Sequence, residues 1–410
     1  MPAASPTPPD RKRARLTLVL TVFLDLLGFG MILPILPFYG QEYGASDFQV
    51  GILFAAYSAS QLVFSPLLGR LSDRLGRRPL LLASIALNVV AHTSFAFAPS
   101  FGLLVAARAL SGLAAANIGI AMAYMADVSP RAERSKAMGL LGAAFGLGFV
   151  LGPAFGGMLS FVSQIAVPLG AAALALVNLA LASVLLPESL SFEARRDAAD
   201  GRWFDVQRLA AVVGDVPLFS LMLLAFVVTV CFAMMEASLA LFAQELFGWG
   251  GREISWLFVW IGVLIVGIQG GLIGVLVRRV GERWLLNAGV AIVAVGLLVM
   301  AFSSRPLHLL VATGLLAVGL ALHNPTYTGL LSRLTDDASQ GGVLGLSRSF
   351  SSLARVIGPL AGTALFERLG ASAPFLWGGC LLLLATLAAY WIARRAVVAV
   401  ERREAAEAEG

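Results

Sequence analysis

Four ionisable side chains lie within predominantly hydrophobic stretches of about twenty residues. Asp25 lies in FLDLLGFGMILPILPFY, Arg108 in ARALSGLAAA and Glu236 in CFAMMEASL, and Arg355 precedes a Gly-Pro pair in another such stretch. On insertion scales an ionisable side chain at the centre of a bilayer costs about 3 kcal/mol, so it faces a protein interior or a water-filled cavity. A carboxyl group placed there can take up and release protons. We therefore predict Asp25, Glu236 and Arg108 as candidates for proton coupling, in which Glu236 would be a second proton site.

Each of these residues also has an alternative role that the sequence leaves open. Asp25 could form a fixed ion pair with Arg108, and Glu236 could form one with Arg355. Arg108 could instead tune a nearby carboxyl group, bind an anionic solute or lock two helices together. Glu236 could act as a counter-charge for cationic solutes.

Polar side chains in the apolar stretches, together with Arg355, form a second group of candidates. The segment HNPTYT places several of them around a predicted kink at Pro325. A membrane histidine in such a segment is also a common hydrogen-bonded structural residue. The candidates for a solute cavity are Asn117, Tyr124, Gln269, His323, Asn324, Tyr327 and Arg355.

Composition indicates a membrane protein that crosses the bilayer many times. Of 410 residues, 59% are hydrophobic and 13% are charged, which leaves room for about a dozen spanning helices. The net charge of +5 comes without a basic patch interleaved with aromatic residues, so no nucleic-acid partner is predicted. Cys231 and Cys380 both lie in apolar stretches, which predicts neither a disulfide framework nor a metal site. No ATP-binding G-x-x-x-x-G-K-[ST] motif is present, and we expect no cofactor and no enzymatic activity.

The apolar stretches fall into six, a hydrophilic break and six more. This predicts a cytoplasmic tail over 1–15, a six-helix bundle over 16–186, a linker over 187–216, a second bundle over 217–394 and a tail over 395–410. The first apolar stretch is too long for a signal peptide and lacks a small-residue cleavage site, so we expect it to remain as the first helix. Arginines concentrate in the loops of one side, which predicts an inner (plasma) membrane protein with both termini in the cytoplasm. Those loops are Arg11–Arg15, Arg70–Arg78, Arg131–Lys136, Arg195–Arg208, Arg278–Arg283 and Arg394–Arg403, whereas the other side carries only Arg252, Arg305 and Arg368.

The two halves repeat each other. GRLSDRLGRRPLL at 69–81 aligns with GVLVRRVGERWLL at 274–286, and residues 139–157 align with 345–363. Such duplication predicts an all-α membrane fold of twelve helices in two pseudo-symmetric bundles, with the solute site between them. Small residues four apart permit close helix contacts, on which the halves could rock. They are Gly148, Gly152 and Gly156 in the first copy and Ala354, Gly358 and Gly362 in the second. The same motif includes Gly157, and Pro153 and Pro359 lie at matching positions of the two copies.

One charged segment, Gly69 to Leu82, lies between two of the apolar stretches, and we call it the signature loop. Its pattern G-x-L-x-D-R-x-G-R-R resembles the loop between helices 2 and 3 of the major facilitator superfamily. The resemblance implies a cytoplasmic latch in which Asp73 contacts a helix start in the other half and Arg77 pairs with Asp127. The latch residues are Gly69, Asp73, Arg74, Gly76, Arg77, Arg78 and Asp127. In the second copy Arg278 occupies the position of Asp73, which predicts a weaker latch there.

Over almost its whole length the chain resembles the twelve-helix drug:proton antiporters of that superfamily, most closely the tetracycline-efflux branch. The resemblance rests on the segment around Asp25, the signature loop, R-x-x-S-G from Arg108, and G-x-x-x-G-P-x-x-G-G from Gly148. It implies export of a small organic solute in exchange for protons, with Asp25 in proton coupling and Arg108 in support. That branch carries acids in helices 3 and 9, whereas helix 3 here offers Asn88, so we expect an amphipathic compound other than tetracycline.

Two other functions remain as alternatives. The first is a proton-coupled metabolite or sugar symporter, against which the motif G-x-x-x-G-P-x-x-G-G from Gly148 argues, because the resemblance makes it an antiporter signature that favours export over uptake. The second is a solute-sensing receptor on a transporter fold, for which the short loops offer little output surface. The expected partners are therefore the small solute, protons and the lipid bilayer, without an obligatory protein partner.

Overall fold

The computed structural model describes residues 8–130, 133–190, 214–335 and 340–409, and in these ranges the chain is helical without a β-strand. Fifteen α-helical segments follow one another. They are α1 Pro8–Ile32, α2 Leu36–Glu42, α3 Asp47–Leu75, α4 Arg77–Ala96, α5 Phe101–Ala115, α6 Ile118–Val128, α7 Arg134–Ser160, α8 Ala166–Leu185, α9 Val216–Phe247, α10 Gly251–Gly267, α11 Ile273–Val280, α12 Glu282–Ala301, α13 Pro306–Arg333, α14 Gln340–Leu369 and α15 Ala373–Glu409.

Three of the membrane crossings are interrupted helices. A 3-10 turn at Leu33–Ile35, which contains Pro34, separates α1 from α2, because proline cannot supply the N–H that a continuous helix needs. A two-residue break at 116–117 separates α5 from α6. A π-helical turn at Ile268–Leu272 separates α10 from α11.

Eleven helical stretches of the described residues are long and apolar enough to cross a membrane. The remaining long helix, α14, has 30 residues, which is sufficient length, but Arg348, Arg355 and several serines lower its hydropathy. The structure therefore confirms the predicted all-α, membrane-spanning fold class.

The first of two compact units consists of the described residues within Met1–Ala45, Ile52–Trp203 and Gly250–Val259. Here α1 packs against α7 and α8, and α4 packs against α5 and α8. One end of the unit is filled by a cluster of buried apolar side chains that includes Leu18, Leu81, Tyr124 and Leu141.

The second unit consists of the described residues within Ser46–Gly51, Phe204–Trp249 and Trp260–Gly410. In it α9 packs against α14 and α15, and α12 packs against α13 and α15. These pairings match those of the first unit helix for helix, as an internal duplication requires.

The precise domain boundaries stay predictions. Most of the predicted linker, residues 191–213, lies outside the described residues, as do 131–132 in the loop before α7. The last helix, α15, continues past the predicted end at 394 and reaches Glu409.

Candidate proton and solute site

Asp25 on α1 is surrounded by side-chain amides from other helices. Asn117 Nδ2 donates to Asp25 Oδ2 at 3.0 Å, and Asn178 Nδ2 donates to Asp25 Oδ1 at 3.0 Å. Asn88 on α4 is a third amide partner of the same carboxyl group. An amide can donate to an ionised carboxylate and can accept from a protonated one, so this amide cluster can accommodate both states of Asp25.

Arg108 lies on α5 and is 1% exposed. Its Nε donates to the carbonyl oxygen of Leu53 at 3.4 Å. Its guanidinium carbon lies 4.7 Å from the ring centre of Tyr57 and 5.8 Å from that of Phe29. Within the described residues the carboxylate of Asp25 is therefore held by amides, and the alternative ion pair between Asp25 and Arg108 is absent.

A cavity inside the first unit connects Asp25 and Arg108. Its wall combines a carboxyl group, amides, a guanidinium group and aromatic faces, so it offers polar, charged and aromatic contacts side by side. The wall includes Asp25, Phe29, Tyr57, His92, Arg108 and Asn117.

Two residues of this region were not singled out from the sequence. His92 is 4% exposed and follows Asn88 by one helical turn, so the i, i+4 spacing could have placed it on the cavity face. Asn178 is a single asparagine in the apolar run of α8, where no periodic pattern marks it. Its amide also donates to the carbonyl oxygen of Thr21 at 3.1 Å, which fixes it against α1.

In the second unit, Glu236 on α9 pairs with Arg355 on α14. Arg355 NH1 lies 3.3 Å from Glu236 Oε2, and the two side chains are 34% and 4% exposed. The guanidinium carbon of Arg355 also lies 6.0 Å from the ring centre of Phe232. The geometry thus contains the ion pair that the sequence offered as the alternative to a second proton site.

The other cavity candidates lie at separate places. His323 is buried, and its ring is nearly parallel to that of Tyr327 at 6.0 Å between centroids. The Tyr327 hydroxyl is 2.6 Å from Ser347 Oγ. Asn324 is exposed, and Gln269 is half-buried in the π-helical turn.

Tyr124 belongs to the buried apolar cluster of the first unit, and its hydroxyl donates to the carbonyl oxygen of Pro187 at 2.5 Å. It shares a helix face with Asn117, but seven residues correspond to about 10 Å along a helix. The two side chains therefore lie at different depths, and Asn117 alone of the pair lines the cavity.

The signature loop is organised around Arg77. Arg77 NH1 lies 2.5 Å from Asp73 Oδ1, and Arg77 Nε lies 3.2 Å from Asp127 Oδ2, which is the pairing that the resemblance implied. Arg78 NH2 donates to the carbonyl oxygen of Ser183 at 2.6 Å. Arg74 lies in the last turn of α3.

Glycine gives the signature loop its tight reversal. Gly76 separates α3 from α4 with φ +111°, a backbone conformation that L side chains rarely adopt. The aligned Gly281 has φ +85° at the start of α12, so the repeated sequence keeps the same turn. Gly69 lies inside α3, and a Cβ added there would meet nothing within 4 Å.

Glu188, a residue of the predicted linker, contacts the signature loop at the start of α4. Its Oε1 accepts from the backbone N–H of Arg77 at 3.0 Å and so caps the start of α4. The same oxygen accepts from the N–H of Ser189 at 2.9 Å, and Ser189 Oγ donates to Asp127 Oδ2 at 3.0 Å. The segment after α8 therefore forms hydrogen bonds with two residues of the predicted latch, Arg77 and Asp127.

The glycine stripe of α7 packs against α1. A Cβ on Gly152 would lie 2.7 Å from the Cα of Gly30, and one on Gly156 would lie 2.5 Å from the carbonyl oxygen of Met31. On α14 a Cβ on Gly358 would lie 2.6 Å from the carbonyl oxygen of Val230 on α9. Gly148 belongs to the same stripe, Gly157 faces Ser255, and Pro153 and Pro359 lie inside their helices. These contacts join helices within one unit, and the rocking surface stays a prediction.

Comparison with known proteins finds one family over nearly all of the chain. The family model described as Major Facilitator Superfamily matches residues 18–282 and 250–409. "Tetracycline resistance protein, class C" of Escherichia coli is 33% identical over 367 residues, which cover 88% of this chain and 90% of that protein. "Multidrug resistance protein 2" of Bacillus subtilis (strain 168) is 30% identical over 378 residues, covering 92% and 94%.

Solved structures give the same result for the fold. The human organic anion transporter MFSD10 (TETRAN) is similar with a TM-score of 0.71 and 27% identity, covering 93% of this chain and 99% of that one. A bacterial homolog of the human lysosomal transporter Spinster, inward-facing and occupied, is similar with a TM-score of 0.74 and 16% identity, covering 95% and 98%.

Proposed function

This chain belongs to the Major Facilitator Superfamily, and we propose that it is a secondary active transporter that exports small amphipathic organic compounds in exchange for protons. The observation that carries the proposal is Asp25, a carboxyl group inside the membrane-spanning region that lines a cavity and is held by amides. The relatives named for tetracycline and multidrug resistance support export of drug-like compounds.

In the proposed mechanism Asp25 carries the proton and the cavity beside it holds the solute. The amides of Asn117 and Asn178 keep the carboxyl group in place while it gains or loses a proton. A solute that enters the cavity contacts the wall that contains Asp25, the residue that releases the proton. The solute and the proton therefore occupy the site in turn. Alternating access exposes this wall first to one side of the membrane and then to the other.

The solute class follows from the wall of the cavity. Phe29 and Tyr57 offer aromatic faces, and the amide cluster offers donors and acceptors, which suits an uncharged or zwitterionic amphipathic compound. Arg108 favours a second candidate class, organic anions, and a protein 27% identical to this chain is named an organic anion transporter. Tetracycline is not the preferred candidate, because the third membrane crossing, α4, has Asn88 where the tetracycline-efflux branch has an acid.

The proposal includes the orientation of the chain. We infer that both termini of this multi-pass protein face the cytoplasm and that it lies in the inner membrane of a bacterial cell. The loops rich in arginine support this orientation. We further infer that one chain, without an obligatory partner, suffices for transport.

The test uses proteoliposomes that contain a pH-sensitive dye and start without a gradient. Zwitterionic, cationic and anionic drugs are added to wild type, Asp25→Asn and Glu236→Gln, and solute binding is measured separately by tryptophan fluorescence. We expect solute addition to move protons in wild type and Glu236→Gln, and not in Asp25→Asn, which still binds solute. Unchanged proton movement in Asp25→Asn, or none in folded wild type with any drug, would contradict the proposal.

A further inference from the structure

Two arginines and three aromatic side chains meet where α12 begins and the membrane crossing of α15 nears its end. We call Arg283, Trp284, Tyr390, Trp391 and Arg394 the aromatic–arginine cluster. Neither the amide cluster nor the signature loop uses these residues. All five lie in the second unit.

The rings of the cluster form a continuous run. Trp284 and Tyr390 have ring centroids 5.7 Å apart, and Tyr390 and Trp391 have centroids 5.8 Å apart. The guanidinium carbon of Arg283 lies 4.2 Å from the ring centre of Tyr390 and 5.3 Å from that of Trp284. That of Arg394 lies 5.9 Å from the ring centre of Trp391. Cation–π contacts of this kind orient both guanidinium groups.

Among the described side chains, no acid pairs with the two arginines of the cluster. The nearest acid in sequence, Glu282, pairs with Arg333 at 2.8 Å. No ion pair in the described part of the chain includes Arg283 or Arg394, and the buried Nε of Arg283 has no hydrogen-bond partner there. Trp284 and Trp391 are 53% and 59% exposed, so the cluster is open to the surroundings of the helices.

We propose that the aromatic–arginine cluster binds the phosphate group of an anionic phospholipid. Tryptophan and tyrosine concentrate where a membrane meets water, which places the cluster at the level of lipid headgroups. The planar fork of arginine matches a phosphate in two hydrogen bonds, and basic residues at the ends of spanning helices attract anionic lipids. A lipid bound here contacts α12 and α15 together, so it stabilises the packing of these two helices.

The test measures the thermal stability of purified full-length protein in mixed micelles. Phosphatidylglycerol is compared with phosphatidylcholine, and soluble glycerol phosphate is added in a third series. We expect phosphatidylglycerol to raise Tm in wild type, with no comparable rise from phosphatidylcholine or glycerol phosphate. In the double variant Arg283→Gln/Arg394→Gln the rise should fall by half or more.

The matched control is Arg305→Gln/Arg368→Gln, which removes two exposed arginines away from the cluster. It should keep the full effect of phosphatidylglycerol. An equal loss in the control, or an unchanged rise in the cluster variant, would overturn the proposal. If Arg283→Gln/Arg394→Gln does not fold, Trp391→Leu replaces it, since this exposed ring orients Arg394. Native mass spectrometry of the same samples should show phosphatidylglycerol adducts in wild type and fewer in the cluster variant.

Discussion

The carboxyl group of Asp25 is held by hydrogen bonds from side-chain amides, and the chemistry of these partners affects how the carboxyl group exchanges a proton. An arginine paired directly with Asp25 would hold the carboxyl group ionised, because an opposite charge in contact favours the charged form. Amides favour neither state as strongly. The asparagines are therefore as much a part of the proposed coupling site as the acid.

Replacing Asn178 tests directly whether the amide hydrogen bonds to Asp25 contribute to proton exchange. Hydrogen bonds to charged groups contribute about 1.5–3 kcal/mol, so we expect Asn178→Ala to slow solute-driven proton movement by about tenfold or more. The matched control is Asn287→Ala. Asn287 is a membrane asparagine on α12 that does not belong to the amide cluster around Asp25, and its buried Oδ1 has no hydrogen-bond partner among the described residues. Equal effects of the two variants in proteoliposomes would show that Asn178 acts through general stability.

Glu236 and Arg355 form an ion pair. The stability and the proton movement of single and double variants distinguish a structural role of Glu236 from a role as a proton site. Removing one member of a buried pair costs about 3–5 kcal/mol, and the partial exposure of Arg355 places the loss near or below the lower limit. We expect Glu236→Leu and Arg355→Leu each to lower Tm by several degrees. The double variant Glu236→Leu/Arg355→Leu should recover most of this loss and retain solute-driven proton movement. A stable double variant without proton movement would instead identify Glu236 as a proton site.

At the scale of the helix pair, the contact of α7 with α1 depends on glycine. A Cβ on Gly152 would overlap the backbone of Gly30 and Leu27. Overpacking of this kind costs about 1–3 kcal/mol, so we expect Gly152→Ala to lower Tm. Gly142→Ala on the same helix is the control, since its Cβ would meet nothing within 4 Å and alanine favours a helix. A Tm loss of similar size in Gly142→Ala would mean that the contact is not the cause.

The signature loop offers a second comparison between two glycines of one motif. Gly76 has φ +111°, and a non-glycine residue in such a conformation costs about 1–3 kcal/mol. We expect Gly76→Ala to reduce the transport rate at least fivefold, because the turn positions Arg77 between Asp73 and Asp127. Gly69→Ala should transport at nearly the wild-type rate, since Gly69 is helical and its Cβ would have open space. A reversed order of the two rates would exclude backbone strain as the reason for Gly76.

The sequence predicted contacts that belong to a recognisable motif, and it did not predict contacts between residues far apart in the chain that belong to no such motif. The pair of Arg77 with Asp127 was predicted because the pattern of the signature loop resembles a known family. The capping of α4 by Glu188 was not, because it joins residues 111 positions apart and Glu188 reads as part of a polar linker. Asn178 was not predicted either, since a single amide in an apolar helix does not show what it faces. The comparisons confirm the family and the fold class, and the roles of the individual site residues stay predictions.

At the scale of the whole molecule, the internal duplication shows most clearly in which helices pack together. The pair α1 and α7 corresponds to α9 and α14, and the pair α4 and α8 corresponds to α12 and α15. The duplication does not extend to chemistry. Asp25 is surrounded by amides in the first unit, whereas Glu236 is paired with Arg355 in the second. We infer that the first unit carries both the proton, at Asp25, and the wall that contacts the solute, whereas the Glu236–Arg355 pair stabilises the second unit.

Export driven by inward proton flow requires a defined orientation of the chain in the membrane. Reporter fusions can establish this orientation. Translocation of short arginine-rich loops is disfavoured, so a green fluorescent protein fused after residue 410 should fluoresce in the cytoplasm. Alkaline phosphatase fused after Ser304, in the loop between α12 and α13, should be active outside the inner membrane, and the same enzyme fused after Gly281 should be inactive. The three fusions check one another, because the Gly281 and Ser304 sites lie at opposite ends of α12. Phosphatase activity at Gly281 but not at Ser304 would invert the topology, place the signature loop outside the cytoplasm and contradict export driven by inward proton flow.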